Sequence, residues 1–340
     1  MLAAVLLFIF VLVFGILGLN KELYEIGFLR AEAQEPEILE LLHIESFEGG
    51  SGSRAEYLRK IARDFNKQNP SKFINVKTMT IEQLELNADF LPDMVSFSVG
   101  AGEILKDRLL PAELNFNVRD DLLQYGKIEG EMLAVPYMLG GYAIISRSDY
   151  LNKTQQDNIF EQGFVLGKRQ VLGVGMGLDG FINPAQALTT KSITGIGQYM
   201  SGTTYEVYEG FLKGNFTNLV GTQRDVYRIK NRENNGIFVS CEYEYLGGFS
   251  DLVQYLGLMK ESAIAQEFIK FVLSKQSQSV LSNIGMFSVN GDIYSEGYMK
   301  AFEKVLAGPL TSVNVFLTKT EIEQAKAASI AQVGASAYEP

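Results

Sequence analysis

The chain has 340 residues, of which 46% are hydrophobic and 21% charged, a composition typical of a globular protein and not of a disordered one. Its formal net charge is −10 and no run of Lys and Arg stands out, which argues against nucleic acid as a partner. The single cysteine, Cys241, excludes an intramolecular disulfide. Together with the single histidine, His43, it leaves too few ligands for most zinc sites, so no metal or cofactor is expected.

The front of the chain is strongly apolar. Residues 2–19 carry no charge and are near the minimum length for a helix that crosses a bilayer core. Two interpretations are open: a signal peptide, with a small-x-small cleavage site at Ala31 and Ala33, or an uncleaved anchor. The anchor is favoured because Ala33 lies well past the end of an unusually long apolar run. We therefore expect residues 1–20 to be a signal or anchor and residues 21–37 a spacer. The remainder would lie at the extracellular face of the membrane, or be secreted if the segment is cleaved.

The next segment has the pattern of a βαβ unit. Residues 38–47 read as a strand and lead into a glycine-rich loop. Ser53 and Glu56 then have the spacing of a capping box, and apolar residues follow at helical intervals. Pro70 ends this helix, and residues 73–79 alternate as a strand does. The crossover should make the two strands parallel. Residues 91–99 read as a further strand and residues 263–273 as an amphipathic helix.

Two pairs of glycines follow apolar runs, at Gly140–Gly141 and at Gly247–Gly248. Paired glycines at strand ends allow the backbone rotation that a hinge needs, but they also form simple turns. The sequence alone leaves both interpretations open.

Two loops could contact a ligand. The loop 49–52, Gly-Gly-Ser-Gly, precedes a helix N-terminus, where free amides bind anions or hydroxyls, although the loop by itself favours a flexible turn before a capped helix. Thr222 and Asp225 form a second capping box, and Gln223 and Arg224 lie in its first turn. The motif G-x-G-x-x-G at 175–180 is rejected as a dinucleotide site, because Pro184 follows almost at once and no acidic residue has the required spacing.

Enzymatic function finds little support. Any triad-type mechanism would need His43, which lies in an apolar strand where a hydrogen-bonded core histidine is expected. The chain has no G-x-S-x-G nucleophile elbow and no P-loop. We therefore expect a protein that is not an enzyme.

Several segments carry a resemblance to a known family: 47–53 (FEGGSGS), 219–229 (LVGTQRDVYRI), 247–259 (GGFSDLVQYLGLM), 265–274 and 281–289. In this order they resemble the extracellular solute-binding proteins of bacterial ABC importers (family 1), in particular the sugar-binding group that includes the maltose-binding proteins. The resemblance implies a two-lobe α/β fold of the periplasmic-binding-protein type II, with the ligand cleft between the lobes. Lobe 1 would hold residues 38–142 and 248–297, and lobe 2 residues 143–247 and 298–340.

The resemblance also implies a function. The chain would be the extracytoplasmic solute-binding component of an ABC import system, a monomer that binds a small molecule, with carbohydrate as the first expectation, and delivers it to separate permease subunits. The alternative is a repurposed fold that acts as a sensor or scaffold without transport. Because the chain has no tryptophan, tyrosines would stack on a sugar ring. The expected ligand-binding residues are Gly50, Ser51, Asp93, Tyr137, Gln223, Arg224, Tyr243, Tyr245 and Phe249.

Overall fold

The computed structural model describes residues 36–47, 50–87, 91–112, 115, 117–149, 163–166, 169–178, 180–193 and 195–337. The predicted membrane segment, residues 2–19, lies outside these residues. Within the described ranges, no helix combines the length and apolar character that a membrane crossing needs.

Strands and helices alternate over residues 37–105 and 184–245, whereas the described residues from 127 to 177 hold seven strands in succession. The strands are β1 (Glu37–Glu45), β2 (Lys72–Thr80), β3 (Met94–Phe97), β4 (Lys127–Ile128), β5 (Glu131–Met132), β6 (Val135–Leu139), β7 (Tyr142–Arg147), β8 (Gly163–Leu166), β9 (Arg169–Leu172), β10 (Val174–Gly177), β11 (Gly197–Gly202), β12 (Asn218–Thr222), β13 (Cys241–Tyr245), β14 (Val253–Leu258) and β15 (Ala335–Ala337). The helices are α1 (Arg54–Gln68), α2 (Ile81–Leu86), α3 (Gly102–Leu105), α4 (Asp120–Leu123), α5 (Pro184–Thr189), α6 (Thr204–Lys213), α7 (Gln223–Asn234), α8 (Ala263–Val272), α9 (Lys275–Ser279), α10 (Gly297–Leu306) and α11 (Lys319–Gln332).

The first lobe is built on a five-stranded sheet with the order β2-β1-β3-β14-β6. Strand β1 pairs in parallel with β2 and with β3, whereas β14 is antiparallel to both of its neighbours. The predicted βαβ unit is therefore confirmed. Its helix α1 buries the apolar face expected from the spacing, and Phe65 packs edge-on against Phe268 of α8 at a ring distance of 5.4 Å.

The start of α1 differs from the prediction in one detail. Ser53 caps the helix, but its hydroxyl accepts the N–H of Ala55 at 3.1 Å. The side chain of Glu56 pairs with Arg59 at 2.7 Å instead of reaching back to the cap. The spacing therefore located the helix start correctly, although a neighbouring arginine takes the carboxylate away from the reciprocal bond.

The second lobe is built on a six-stranded sheet with the order β13-β7-β12-β10-β11-β15. Strands β12, β10, β11 and β15 run parallel to one another, and β7 is antiparallel to both β12 and β13. Helix α11 packs against α5 on this sheet. The chain thus forms two α/β lobes.

The chain passes between the lobes through short connections. Only Gly140 and Gly141 separate β6 of the first sheet from β7 of the second. The return runs through residues 246–252, between β13 and β14. A third segment lies beside this return, where Thr311 accepts the N–H of Ser250 and donates its own N–H to Gly248, both at 2.9 Å.

Close packing surrounds the first crossing. The N–H of Gly140 donates to Leu252 at 2.7 Å, and its carbonyl accepts the Ser250 hydroxyl at 2.9 Å. Neither Gly140 nor Gly141 has a positive φ. The two glycines therefore serve here mainly to allow close approach of neighbouring side chains.

Candidate functional site

A cavity of about 370 Å³ lies between the two lobes. Its first-lobe wall follows the ends of β1, β2 and β3, and its second-lobe wall is formed by the starts of α6 and α7 and by the segment after β10. Ligands of open α/β sheets collect at the carboxyl ends of parallel strands, so this is the position expected for a binding cleft. The lining residues are Glu45, Ser46, Phe47, Ile81, Glu82, Ser98, Val99, Gly180, Phe181, Ile182, Thr204, Tyr205, Thr222, Arg224, Asp225 and Arg228.

The first-lobe wall combines carboxylates with a small polar patch. Glu45 ends β1 and Glu82 lies in the first turn of α2, and both are exposed. The hydroxyl of Ser98 donates to that of Ser46 at 2.6 Å. The hydrogen bond from the Thr80 side chain lowers the pKa of Glu82. This wall is therefore acidic.

A buried polar network supports the first-lobe wall from behind. Arg54, which is buried, donates to Gln254, and its guanidinium also lies 4.3 Å from the centre of the Phe47 ring. Gln254 in turn donates to Ser96 at 3.0 Å. These bonds fix the position of Phe47 at the edge of the cavity.

His43 belongs to the same network. Its Nδ1 lies 2.9 Å from the Ser96 hydroxyl, which also lies 2.8 Å from the Tyr137 hydroxyl. Burial and the charge of Arg54 hold the pKa of His43 well below its ordinary value. The expectation of a hydrogen-bonded core histidine is confirmed.

The second-lobe wall is formed by the first turns of α7. The predicted capping box is present: the Thr222 hydroxyl accepts the N–H of Arg224 at 3.2 Å, and Asp225 accepts the N–H of Thr222 at 2.9 Å. Burial raises the pKa of Asp225, while the Thr222 amide and the charges of Arg228 and Arg224 oppose that shift. The Asp225 carboxylate therefore stabilises the start of α7.

Two arginines, Arg224 and Arg228, belong to this wall. The guanidinium of Arg224 makes no hydrogen bond or ion pair with any residue that the structure describes. The Arg228 guanidinium lies 4.6 Å from the centre of the Tyr208 ring. Both side chains are half-buried and line the cavity. This wall is therefore basic, in contrast to the first.

The lobes touch at one side of the cavity. A Cβ on Gly100 of the first lobe would lie 2.2 Å from the Phe181 ring of the second. Gly100 has a φ of +99°, which also favours glycine. Phe181, Phe47 and the exposed Tyr205 give the cavity aromatic surfaces.

Of the nine predicted ligand-binding residues, the structure brings Arg224 into this cavity. Gly50 and Ser51 lie instead against residues 283–285: the Ser51 hydroxyl donates to the carbonyl of Asn283 at 2.8 Å, and a Cβ on Gly50 would lie 3.3 Å from the Cα of Gly285. Gly50 also faces the second lobe, because a Cβ on it would lie 3.2 Å from the Cβ of Tyr227 in α7, although neither Gly50 nor Ser51 lines the cavity.

Gln223 occupies the hinge. It is fully buried, donates its backbone N–H to Gly141 at 2.9 Å and accepts the N–H of Gly141 on its side-chain oxygen at 3.0 Å. Phe249 is buried in the core of the second lobe. Tyr137 is buried in the first lobe and stacks on Tyr57 at a ring distance of 6.2 Å. None of these three side chains lines the cavity.

The last three predicted residues lie away from the cavity. The Tyr243 hydroxyl donates to Glu233 at 3.0 Å, and Tyr245 stacks on Phe302 of α10 at a ring distance of 4.4 Å. Asp93 precedes β3, at the opposite end of the strand from the cavity, where it pairs with Lys260 at 2.7 Å. Sequence reasoning in turn missed Glu45, Glu82, Phe47, Phe181, Tyr205 and Arg228, although the rule that ligands collect where parallel strands end points to the first three.

A second cavity, of about 290 Å³, lies beside the hinge. Its arginine, Arg119, already donates to Asp121 and to the carbonyls of Leu306 and Gly308. Its buried Glu303 pairs with Lys300 at 3.0 Å. Because these charges are satisfied within the protein, the cleft between the lobes is the stronger candidate site.

Comparison with known proteins identifies the fold. No protein-family model and no curated protein matches the chain. Among solved structures, the sugar-binding protein MalE from Xanthomonas citri is 13% identical with a TM-score of 0.57, over 86% of this chain and 91% of that one. The GacH receptor of Streptomyces glaucescens, solved unliganded and with acarbose, is 13% identical with a TM-score of 0.55, over 87% and 93%.

An enzyme has the same architecture. Thiaminase I from Bacillus thiaminolyticus is 12% identical with a TM-score of 0.57, over 87% of this chain and 100% of that one. At these identities the likeness is one of fold, and it confirms the predicted α/β architecture of the solute-binding proteins. Since this fold carries both binding proteins and an enzyme, function has to be argued from the cleft.

Proposed function

We propose that this chain is an extracytoplasmic solute-binding protein that closes its two lobes around a small molecule without transforming it. The observation that carries the proposal is the cavity between the lobes, lined from both sides and flanked by short connections. Hinge closure of this kind is absorbed by a few residues at such connections. The volume of this cavity, about 370 Å³, lies at the small end of the range for ligand pockets.

The residues of the cleft favour binding over nucleophilic catalysis. The chain has one histidine and one cysteine, and neither lines the cavity. Burial and the nearby charge of Glu233 raise the pKa of Cys241 to about 12, so its thiol stays protonated and is a poor nucleophile. His43 is enclosed in the first lobe.

We extend the proposal to carbohydrate as a ligand class, to ABC permease subunits as partners and to a membrane anchor at residues 2–19. The sugar-binding MalE and the acarbose-binding GacH receptor support the first point. The aromatic faces of Phe47, Phe181 and Tyr205 suit the C–H faces of a sugar ring.

The test is ligand-dependent closure. A thermal-shift screen should find a stabilising solute, because a ligand at a hundred times its Kd stabilises the folded state by about 2.7 kcal/mol. Small-angle scattering at saturation should then give a smaller radius of gyration than for the free protein. If no solute stabilises the protein the binding role is wrong, and an unchanged radius at saturation would contradict closure. Conversion of the solute by the purified protein would indicate an enzyme.

A further inference from the structure

The charges that line the cleft are segregated by lobe. Two carboxylates, of Glu45 and Glu82, belong to the first-lobe wall, and two guanidiniums, of Arg224 and Arg228, belong to the second. The remaining carboxylate, of Asp225, is on the basic side, where it accepts the N–H of Thr222 and interacts with the charges of Arg228 and Arg224. Two guanidiniums against this one carboxylate leave the second-lobe wall with an excess of positive charge. The cavity therefore has an acidic side and a basic side.

The two sides do not neutralise one another directly. Among the residues that the structure describes, no ion pair joins Glu45 or Glu82 to Arg224 or Arg228. The cavity separates them. In the open cleft, water can solvate all four groups.

Closure of the lobes changes the solvation of these four groups. When the lobes approach and water leaves, each charge loses solvation and needs a partner of opposite sign. A neutral ligand offers only hydroxyl dipoles to all four groups. An anion would pair with the arginines but leave the carboxylates, and a cation would do the reverse. A ligand with a charge of each sign is the one that compensates both walls.

We infer that the solute of this cleft is a small zwitterion, whose cationic group, such as an ammonium, faces Glu45 and Glu82 and whose anionic group, such as a carboxylate, faces Arg224 and Arg228. The inference rests on the proposed binding function and narrows its ligand class: a carbohydrate that meets it carries both an amino and an acidic group. The planar donors of arginine suit a carboxylate in a bidentate arrangement, and the carboxylates accept from the N–H groups of an ammonium. The aromatic residues between the walls would contact the uncharged body of the ligand.

Two matched sets of probes separate charge from shape. The first is glucose, glucosamine, glucuronic acid and 2-amino-2-deoxyglucuronic acid, which share one ring and are neutral, cationic, anionic and zwitterionic. The second is phenylethanol, phenethylamine, 3-phenylpropionic acid and phenylalanine, which follow the same order. Thermal shift and calorimetry on the full chain should rank the zwitterion first in at least one set, by about tenfold or more over its relatives, as expected for an added charge-assisted bond.

Paired variants test the orientation. Glu82→Gln should lower the affinity for the zwitterion by about tenfold to a hundredfold and leave the affinity for the matching anion unchanged, because only the cationic end of the zwitterion faces this residue. Arg224→Gln should weaken both the zwitterion and the anion. Glu85→Gln, on the same helix as Glu82, and Arg232→Gln, on the same helix as Arg224, lie outside the cavity and should change neither affinity.

Three outcomes would overturn the inference and are distinguishable. If glucose or phenylethanol binds as tightly as the zwitterion of its set, the binding function stands and the charge class is wrong. If the free protein becomes more compact at low salt and Glu82→Gln abolishes this, the walls pair with each other and not with a ligand. If no probe of any charge stabilises the protein or changes its radius, the inference fails together with the proposed function.

Discussion

The first crossing between the lobes allows a prediction that needs no ligand. A Cβ at Gly140 would lie 2.7 Å from the side-chain oxygen of Gln223 and 2.8 Å from the Cβ of Leu252, closer than such atoms pack. Both neighbours are fully buried, and the Gln223 oxygen already accepts the N–H of Gly141. Gly140→Ala must therefore displace one of them. Overpacking of this kind costs about 1–3 kcal/mol.

Part of that cost is offset, because alanine reduces the freedom of the unfolded chain by about 0.4–1 kcal/mol. The net loss should be about 1–2 kcal/mol, seen as a lower urea midpoint at an unchanged slope and a Tm reduced by a few degrees. Gly308→Ala is the matched control: its nearest neighbour would be the carbonyl of Val305 at 3.6 Å, an ordinary contact, so it should be neutral or slightly stabilising. Equal midpoints for the two variants would refute the packing argument.

Three further predictions concern the cleft, the hinge and the front segment. Arg224→Ala should weaken ligand binding by about 1.5–3 kcal/mol with little change in Tm. Thr222→Ala, the control, should lose the helix cap and cost about 1 kcal/mol of stability. Calorimetry and thermal melts on both variants test this, and normal ligand binding with a lowered Tm for Arg224→Ala would contradict the site. Burial raises the pKa of Asp251 from 3.8 to about 6, so the folded state retains a proton that the unfolded chain releases, and stability falls as the pH rises through about 4 to 6. Between pH 4 and pH 7, the free energy of unfolding of Asp251→Asn should therefore rise by up to about 3 kcal/mol relative to that of the native protein. If urea unfolding gives the same difference between the two proteins at both pH values, this reasoning is refuted. Mass analysis of the membrane fraction should find residues that precede Ala33, and a secreted form starting at Gln34 would contradict the anchor.

Local signals in the sequence predicted the local structure well. The opening βαβ unit follows from patterns within a few residues: alternation for strands, helical spacing for α1, and a cap at Ser53. The capping box at Thr222 and the buried His43 were predicted for the same reason. In each case a short stretch of chain determines the outcome.

The site was harder to predict, because its members come from separate segments. Tyr137 and Tyr245 lie close in sequence to the crossings, which predicts a place in the cleft. The crossings are packed from outside by α10, so Tyr245 stacks on Phe302 instead. The cavity is lined by residues that follow strand ends, such as Phe47 after β1 and Phe181 after β10. Which strand ends face each other depends on how two lobes dock, and no local pattern carries that information.

The second sheet ends on a strand supplied by the end of the described chain. β15 pairs in parallel with β11 through Ala335, Ser336 and Ala337. Without these residues β11 would become a free edge, with unpaired N–H and C=O groups that invite pairing with another molecule. Removal of residues 335–337 should therefore promote self-association through the exposed edge of β11.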